Sequence, residues 1–267
     1  MTRRTLIVGL IVGLLAVGAS GATQVVATHG VLGELAEIVG AEWIEVVTII
    51  PSGFCPSHYD LSPSDYAALL NADLVLYSGI EPWVETLAAS AQCGALVQLS
   101  GSWNTPPDAA EKVAAIADLL IERVPEGEST FAANRDAYVA ELEVLADSLR
   151  TEAGDLAVQD IPVVCMQWQS SFVSWIGFDV AVTFGIPETL SLSDLVRLTE
   201  AGVAAGAQLV IDNLQSGVEF GGKLAREVDA VHVVLSNFPG AMPDTATLAQ
   251  LFARNADALF TAIEPME

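Results

Sequence analysis

The sequence predicts an α/β protein of two (β/α)4 lobes, each built on a parallel sheet and joined by one long rigid helix. Three observations predict it. Short apolar runs alternate with amphipathic stretches along the chain, the pattern of βαβ units. The runs are continuously apolar, as in "VVTII" (46–50), which suits sheets covered on both faces. The alternation is interrupted once, by helical periodicity over about residues 129–153, and then restarts. The length fits this division, since 267 residues exceed what one hydrophobic core usually serves.

The elements follow in order. Gln24 to Thr28 is a strand, and about Val31 to Val39 a helix. "EWIEVVTIIP" (42–51) is a second strand closed by Pro51. "LSPSDYAALLNA" (61–72) is a helix, with Ser62 as N-cap, Pro63 at the first helical position and Asp65 completing a capping box. "DLVLYSG" (73–79) and Ala95 to Leu99 are the third and fourth strands. In "PDAAEKVAAIADLLIERV" (107–124), Val113, Ile116, Leu119, Leu120 and Val124 share a helical stripe. From about Ser129 to Ala153, Phe131, Tyr138, Leu142, Leu145 and Leu149 recur at helical spacing. That helix is roughly 35–40 Å long at about 1.5 Å per residue, and reads as a rigid bridge. The second half repeats the scheme. It has strands at Ile161–Met166, 179–185, 207–213 and 230–237, and helices beginning at "FVSWIG" (172–177), capped by Ser191 with Asp194 three residues on, holding Lys223 to Glu227, and closing the chain over 245–263. The expected division is 1–22 signal peptide or anchor, 23–127 first lobe, 128–155 linking helix and 156–267 second lobe. No short internal repeat is apparent beyond this doubling.

The N-terminus fits secretion. Arg3 and Arg4 precede an apolar stretch from Leu6 to Ala19, and Ser20 and Ala22 are small residues suited to a cleavage site. The stretch is short for a spanning helix, though an uncleaved anchor stays open. The chain is therefore expected outside the cytoplasm, as a monomer. Three cysteines, Cys55, Cys93 and Cys165, allow one disulfide in an oxidising compartment, and spacing alone cannot pair them. The formal charge of −24 argues against nucleic acid as a partner, because phosphate binding needs a basic face.

In open parallel α/β sheets, ligands bind beyond the C-terminal strand ends. Those ends carry His29, Cys55 to His58, Ser78 to Glu81 and Trp103–Asn104 in the first lobe. In the second they carry Gln167, Gln169, Asp212, Asn213, Gln215, Ser236 and Asn237. Facing sets across a cleft would make a small-molecule site. His58 is the leading candidate, because it follows a strand and a Pro-bounded turn. Cys55 and His58 have a workable chelate spacing, and Cys55 reads equally as ligand, disulfide partner or small buried residue. Asp212 offers a carboxylate, or a capped turn. His29 is ligand or support, and His232, flanked by valines, reads as a satisfied structural histidine. Trp83, Trp103, Trp168 and Trp175 fall near strand ends and cover core or line a cleft. Nucleophile-elbow, P-loop, His-Glu-x-x-His and dinucleotide motifs are absent from the sequence, which argues against an enzyme.

The run "VVATHGVLGELAEIVG" (25–40), followed by "VVTIIPSGFCPSHYDLSPSDYAALLNADLVLYSGIEPW" (46–83), resembles the zinc/manganese-type, TroA-like solute-binding proteins of metal ABC importers. That family shows Pro-His-x-Tyr-x-x-x-Pro-Ser-Asp after the second strand; here the run is "SHYDLSPSD", read with Ser57 in place of Pro and one residue shorter than the motif between His58 and Tyr59. The resemblance implies two lobes, a long linking helix that limits hinge motion, and one divalent metal in the interlobe cleft, delivered to a membrane permease. It makes His58 the first metal ligand. The later motifs depart. Gly101 stands at the second His position, with Trp103 kept; Gln167 or Gln169 stands near the third; Ser236 and Asn237 stand near the carboxylate of the fourth. Either Cys55, His29 and Asp212 substitute as ligands, with zinc the expected ion, or Trp103, Asn104, Gln167, Gln169, Asn213 and Asn237 hold a chelated metal or small organic ligand. A metal-free surface adhesin on the same fold is a further alternative.

Overall fold

The computed structural model of the chain describes residues 22–90 and 94–263. Most of the expected signal segment lies outside the described residues, as does Cys93. The first sheet has the order β2-β1-β3-β4, formed by β1 (Thr23–His29), β2 (Ile44–Ile50), β3 (Leu74–Tyr77) and β4 (Ala95–Gln98), all parallel. The second has the equivalent order β6-β5-β7-β8, from β5 (Pro162–Met166), β6 (Asp179–Phe184), β7 (Leu209–Asn213) and β8 (Val231–Leu235), also parallel. Parallel neighbours need crossovers, and helices supply them: α1 (Gly30–Gly40), α2 (Pro63–Asn71) and α3 (Trp83–Ser90), then α6 (Ser170–Ile176), α7 (Leu192–Ala205) and α8 (Glu219–Val228); α4 (Pro106–Arg123) and α9 (Leu248–Ile263) follow the last strand of each sheet. Helix α3 has no counterpart in the sequence reading; its short length gives little periodicity to read.

The bridge is α5 (Glu128–Asp155), whose 28 residues extend about 42 Å. Its Phe131, Tyr138, Leu142 and Leu149 are buried in one cluster that also holds Leu32 of the first lobe and Val163 of the second. The two sheets thus share a core through this helix. Motion of one lobe against the other would open that core, so the lobes are held as one body on this side.

The two lobes also share a short repeat that the sequence reading missed. Leu-Ser-Pro-Ser-Asp (61–65) opens α2, and Leu-Ser-Leu-Ser-Asp (190–194) opens α7. Both form capping boxes, with Ser62 paired to Asp65 and Ser191 to Asp194, and each is preceded by a proline-led 3-10 turn, Pro56–His58 and Pro187–Thr189. The doubling is therefore written into the helix starts as well as the sheet order.

A second tie joins the lobes where α1 meets the start of α9. The Glu34 carboxylate on α1 accepts the backbone N–H of Leu248 at 2.8 and 2.9 Å, where α9 begins, and receives the Tyr138 hydroxyl of α5 at 3.4 Å. Burial pushes this carboxyl up to about 7, against the pull of those hydrogen bonds and with help from Glu37 and Glu141. The folded value exceeds the usual 4.5, so the native state holds the proton longer than the unfolded chain. The stabilisation is complete below about pH 4.5 and is lost as pH rises through 7, an amount of up to about 3 kcal/mol. Glu34→Gln should flatten that part of the stability–pH curve between pH 5 and 8 in urea titrations. Parallel curves for the two proteins would refute the assignment.

Candidate metal-binding cleft

The strand ends of both sheets face a cavity of about 470 Å³ between the lobes. His58 reaches it through a local scaffold. The Tyr59 hydroxyl donates to Asp65 at 3.0 Å, and the same Asp65 oxygen accepts the Ser62 backbone N–H at 2.7 Å. The motif Ser57-His58-Tyr59 … Pro63-Ser64-Asp65 therefore locks the turn to the start of α2. The turn itself closes by a 3.0 Å bond from the His58 backbone N–H to the Cys55 carbonyl. The His58 ring is left exposed on the cavity wall, without a side-chain hydrogen-bond partner among the described residues. Cys55 lines the same wall as a free, half-buried thiol.

Across the cleft, neutral groups dominate. Trp103 donates its indole N–H to the Asn237 carbonyl at 3.0 Å, and Asn104 donates from Nδ2 to the Trp168 carbonyl at 3.2 Å. Gln215 donates to the Ser52 carbonyl at 3.1 Å and to the Ser236 hydroxyl at 2.8 Å. The bonds to Asn237, Trp168 and Ser52 stitch the first lobe to the second at the cavity floor. Asn104 Oδ1 is buried with no partner among the described residues. Gln167, Asn213 and Asn237 line the cavity as expected from strand ends. Gln169 does not; it is buried behind Trp103 and Asn104, with its Nε2 unpartnered.

Two of the four expected metal ligands face elsewhere. His29 is buried between the rings of Trp103 and Phe238, at centroid distances of 4.9 and 5.3 Å. Burial lowers it to about 4, despite the Glu81 carboxylate 3.9 Å away, so it is neutral at pH 7. It supports the aromatic floor and does not line the cavity. Asp212 is fully buried and bonded to His232 at 2.7 Å, under the helix α8 glycine Gly221. Its Oδ2 is taken up by that pair, which satisfies one ring nitrogen of His232, while Oδ1 is buried with no partner among the described residues. Among the described residues no three His, Cys, Asp or Glu side chains lie close enough together to hold an ion. Of the tryptophans, Trp103 and Trp168 line the cleft; Trp83 packs in the small core of the first lobe, and Trp175 stacks on Phe172.

Sequence reasoning missed one residue with functional chemistry. Glu188, in the turn Pro187–Thr189, lines the cavity from the second lobe. The signal that could have found it is the repeat: its turn occupies the place in the second lobe that the His58 turn holds in the first.

Gly101, at the family's second histidine position, has its own reason to be glycine. Its φ is +95°, a conformation side chains rarely adopt. The loop around it winds onto the buried Lys112 ammonium, which donates to the carbonyls of Leu99, Ser100 and Gly101 at 2.8, 2.7 and 3.0 Å. With Thr105 capping α4 at Asp108, this fixes Trp103 and Asn104 from both sides.

A model of the ZnuA family, "Zinc-uptake complex component A periplasmic", matches residues 25–262. The chain belongs to this family. It is a family of extracytoplasmic substrate-binding transport proteins, not of enzymes. Among curated relatives, the manganese-binding lipoprotein MntA of Halalkalibacterium halodurans is 24% identical over 159 residues, 53% of each chain. The metal ABC transporter substrate-binding lipoprotein FimA of Streptococcus parasanguinis is 37% identical over 81 residues, 28% of this chain and 26% of the relative. The first of these matches spans about half of the relative's length, the second about a quarter. The periplasmic zinc-binding protein TroA from Treponema pallidum superposes with a TM-score of 0.79 at 19% identity, over 92% of this chain and all of the other. A ZnuA crystal structure superposes at 0.75 and 20% identity, over 91% of this chain and 99% of the other. These likenesses establish the two-lobed fold.

Proposed function

We propose that the chain is the extracytoplasmic solute-binding component of an ABC importer, which captures a divalent transition metal in the interlobe cleft and hands it to a membrane permease. The observation that carries this reading is the exposed His58 imidazole, held without a hydrogen-bond partner on the wall of the cavity by the Tyr59–Asp65–Ser62 lock. The relatives named above are a manganese-binding lipoprotein and a metal ABC transporter substrate-binding lipoprotein, and they support the same cargo class. Nitrogen from His58 and sulfur from Cys55 favour zinc over manganese.

Calorimetric titration of the metal-stripped protein under reducing conditions tests this. Zinc should bind one to one, in the micromolar range expected of an incomplete protein ligand set, and more tightly than manganese or ferrous iron. His58→Ala should weaken zinc at least about tenfold, or roughly 1.4 kcal/mol. Absence of heat with every ion would overturn capture of the metal as a free ion.

A further inference from the structure

We propose that the cleft takes its metal as a preformed complex with a small organic chelator; this rests on the metal-cargo reading and names the form of the cargo. A zinc ion bound by protein alone is enclosed by about four ligands at roughly 2.0–2.3 Å. Here only His58, Cys55 and Glu188 supply such side chains to the cavity, and no three ligating groups converge among the described residues. The cavity, about 470 Å³, falls among small-molecule pockets, which run from roughly 300 to 1,000 Å³. Its walls suit an organic ligand: Trp168 is half exposed there, and the largely buried Trp103 and Phe238 border it as well. Asn104 and Asn237 add amide groups to the same wall.

A metal that arrives with most positions filled needs one or two donors from the protein. His58 supplies one from the first lobe. Glu188 faces the same cavity from the matching proline-led turn of the second lobe, and a carboxylate there suits a cationic complex or an N–H of the chelator. The two turns therefore grip the complex from opposite lobes, with His58 on the metal and Glu188 on its charge or its organic part. An anionic complex is disfavoured, because among the described residues no Lys or Arg lines the cavity and the whole chain carries −24.

The test is a set of titrations of the purified protein. The probes are Ni²⁺ alone, L-histidine alone, the cationic one-to-one Ni²⁺–histidine complex, and Ni²⁺–citrate. The histidine complex should bind one to one and at least tenfold more tightly than Ni²⁺, with citrate weaker than either. His58→Ala and Glu188→Gln should each remove most of that advantage while leaving the thermal midpoint unchanged. Free Ni²⁺ binding as tightly as its histidine complex would overturn the proposal and leave the metal-cargo reading standing. Equal binding of metal-free histidine would overturn both. Binding by none of the four probes would also overturn the chelate proposal, whatever zinc does on its own.

Discussion

Replacing Lys112 by methionine should cost the protein about 2–3 kcal/mol and weaken ligand capture with it. The Lys112 side chain is buried, and among the described residues no carboxylate lies within ion-pair distance of its ammonium; three backbone carbonyls of one loop satisfy it instead. Hydrogen bonds to charged groups contribute more than neutral ones, and methionine keeps the apolar stem while deleting all three. The loop from Leu99 to Gly101 would then lose the group it winds around. Trp103 and Asn104 follow directly, and they make two of the hydrogen bonds that join the lobes at the cavity floor. A urea midpoint shift accompanied by weaker zinc binding is the expected pair of results. A stability loss with unchanged binding would mean that Trp103 and Asn104 are placed by something other than this loop.

Gly221→Ala should be at least as damaging, at about 2–4 kcal/mol. A methyl group there would stand 2.0 to 2.6 Å from the three carboxylate atoms of Asp212. That carboxylate cannot swing away freely, because it is fully buried and held by His232. Either α8 lifts from the sheet or the Asp212–His232 pair breaks, and overpacking of this kind is costly. The same geometry predicts that Asp212→Asn, which keeps the shape, leaves metal affinity within about twofold of the parent while lowering the melting temperature. Loss of metal binding in Asp212→Asn, with the fold intact, would restore Asp212 to the ligand set.

Much of the fold was readable because it rests on local chemistry. The Ser62 and Ser191 capping boxes are set by residues three apart, and both formed. Continuous apolar runs announced the parallel strands, of which the inner β1, β5 and β7 are buried while the edge strands β2 and β6 stay partly exposed, and α5 announced itself by spacing. The weaker signals were α3, which is too short to show a period, and the Leu-Ser-x-Ser-Asp repeat, whose meaning depends on knowing that the two sheets have equivalent order.

The site was less readable, because strand ends fix where a residue stands and not which way it faces. Asp212 and Asn213 are adjacent at the end of β7, yet one turns to His232 under α8 and the other lines the cavity. His29 ends β1 but lies beneath the aromatic floor. Gly101 looked like a lost ligand, whereas its positive φ belongs to a loop built around a buried lysine. Neighbours far away in sequence make each of these choices.

The central claim, that His58 presents a metal to this cleft, is tested most directly by anomalous diffraction from zinc-soaked crystals. The account predicts one strong peak inside the cavity, about 2.0–2.1 Å from a His58 ring nitrogen, the ordinary zinc–imidazole distance. A fully occupied peak elsewhere, with the cavity empty of zinc, would contradict it.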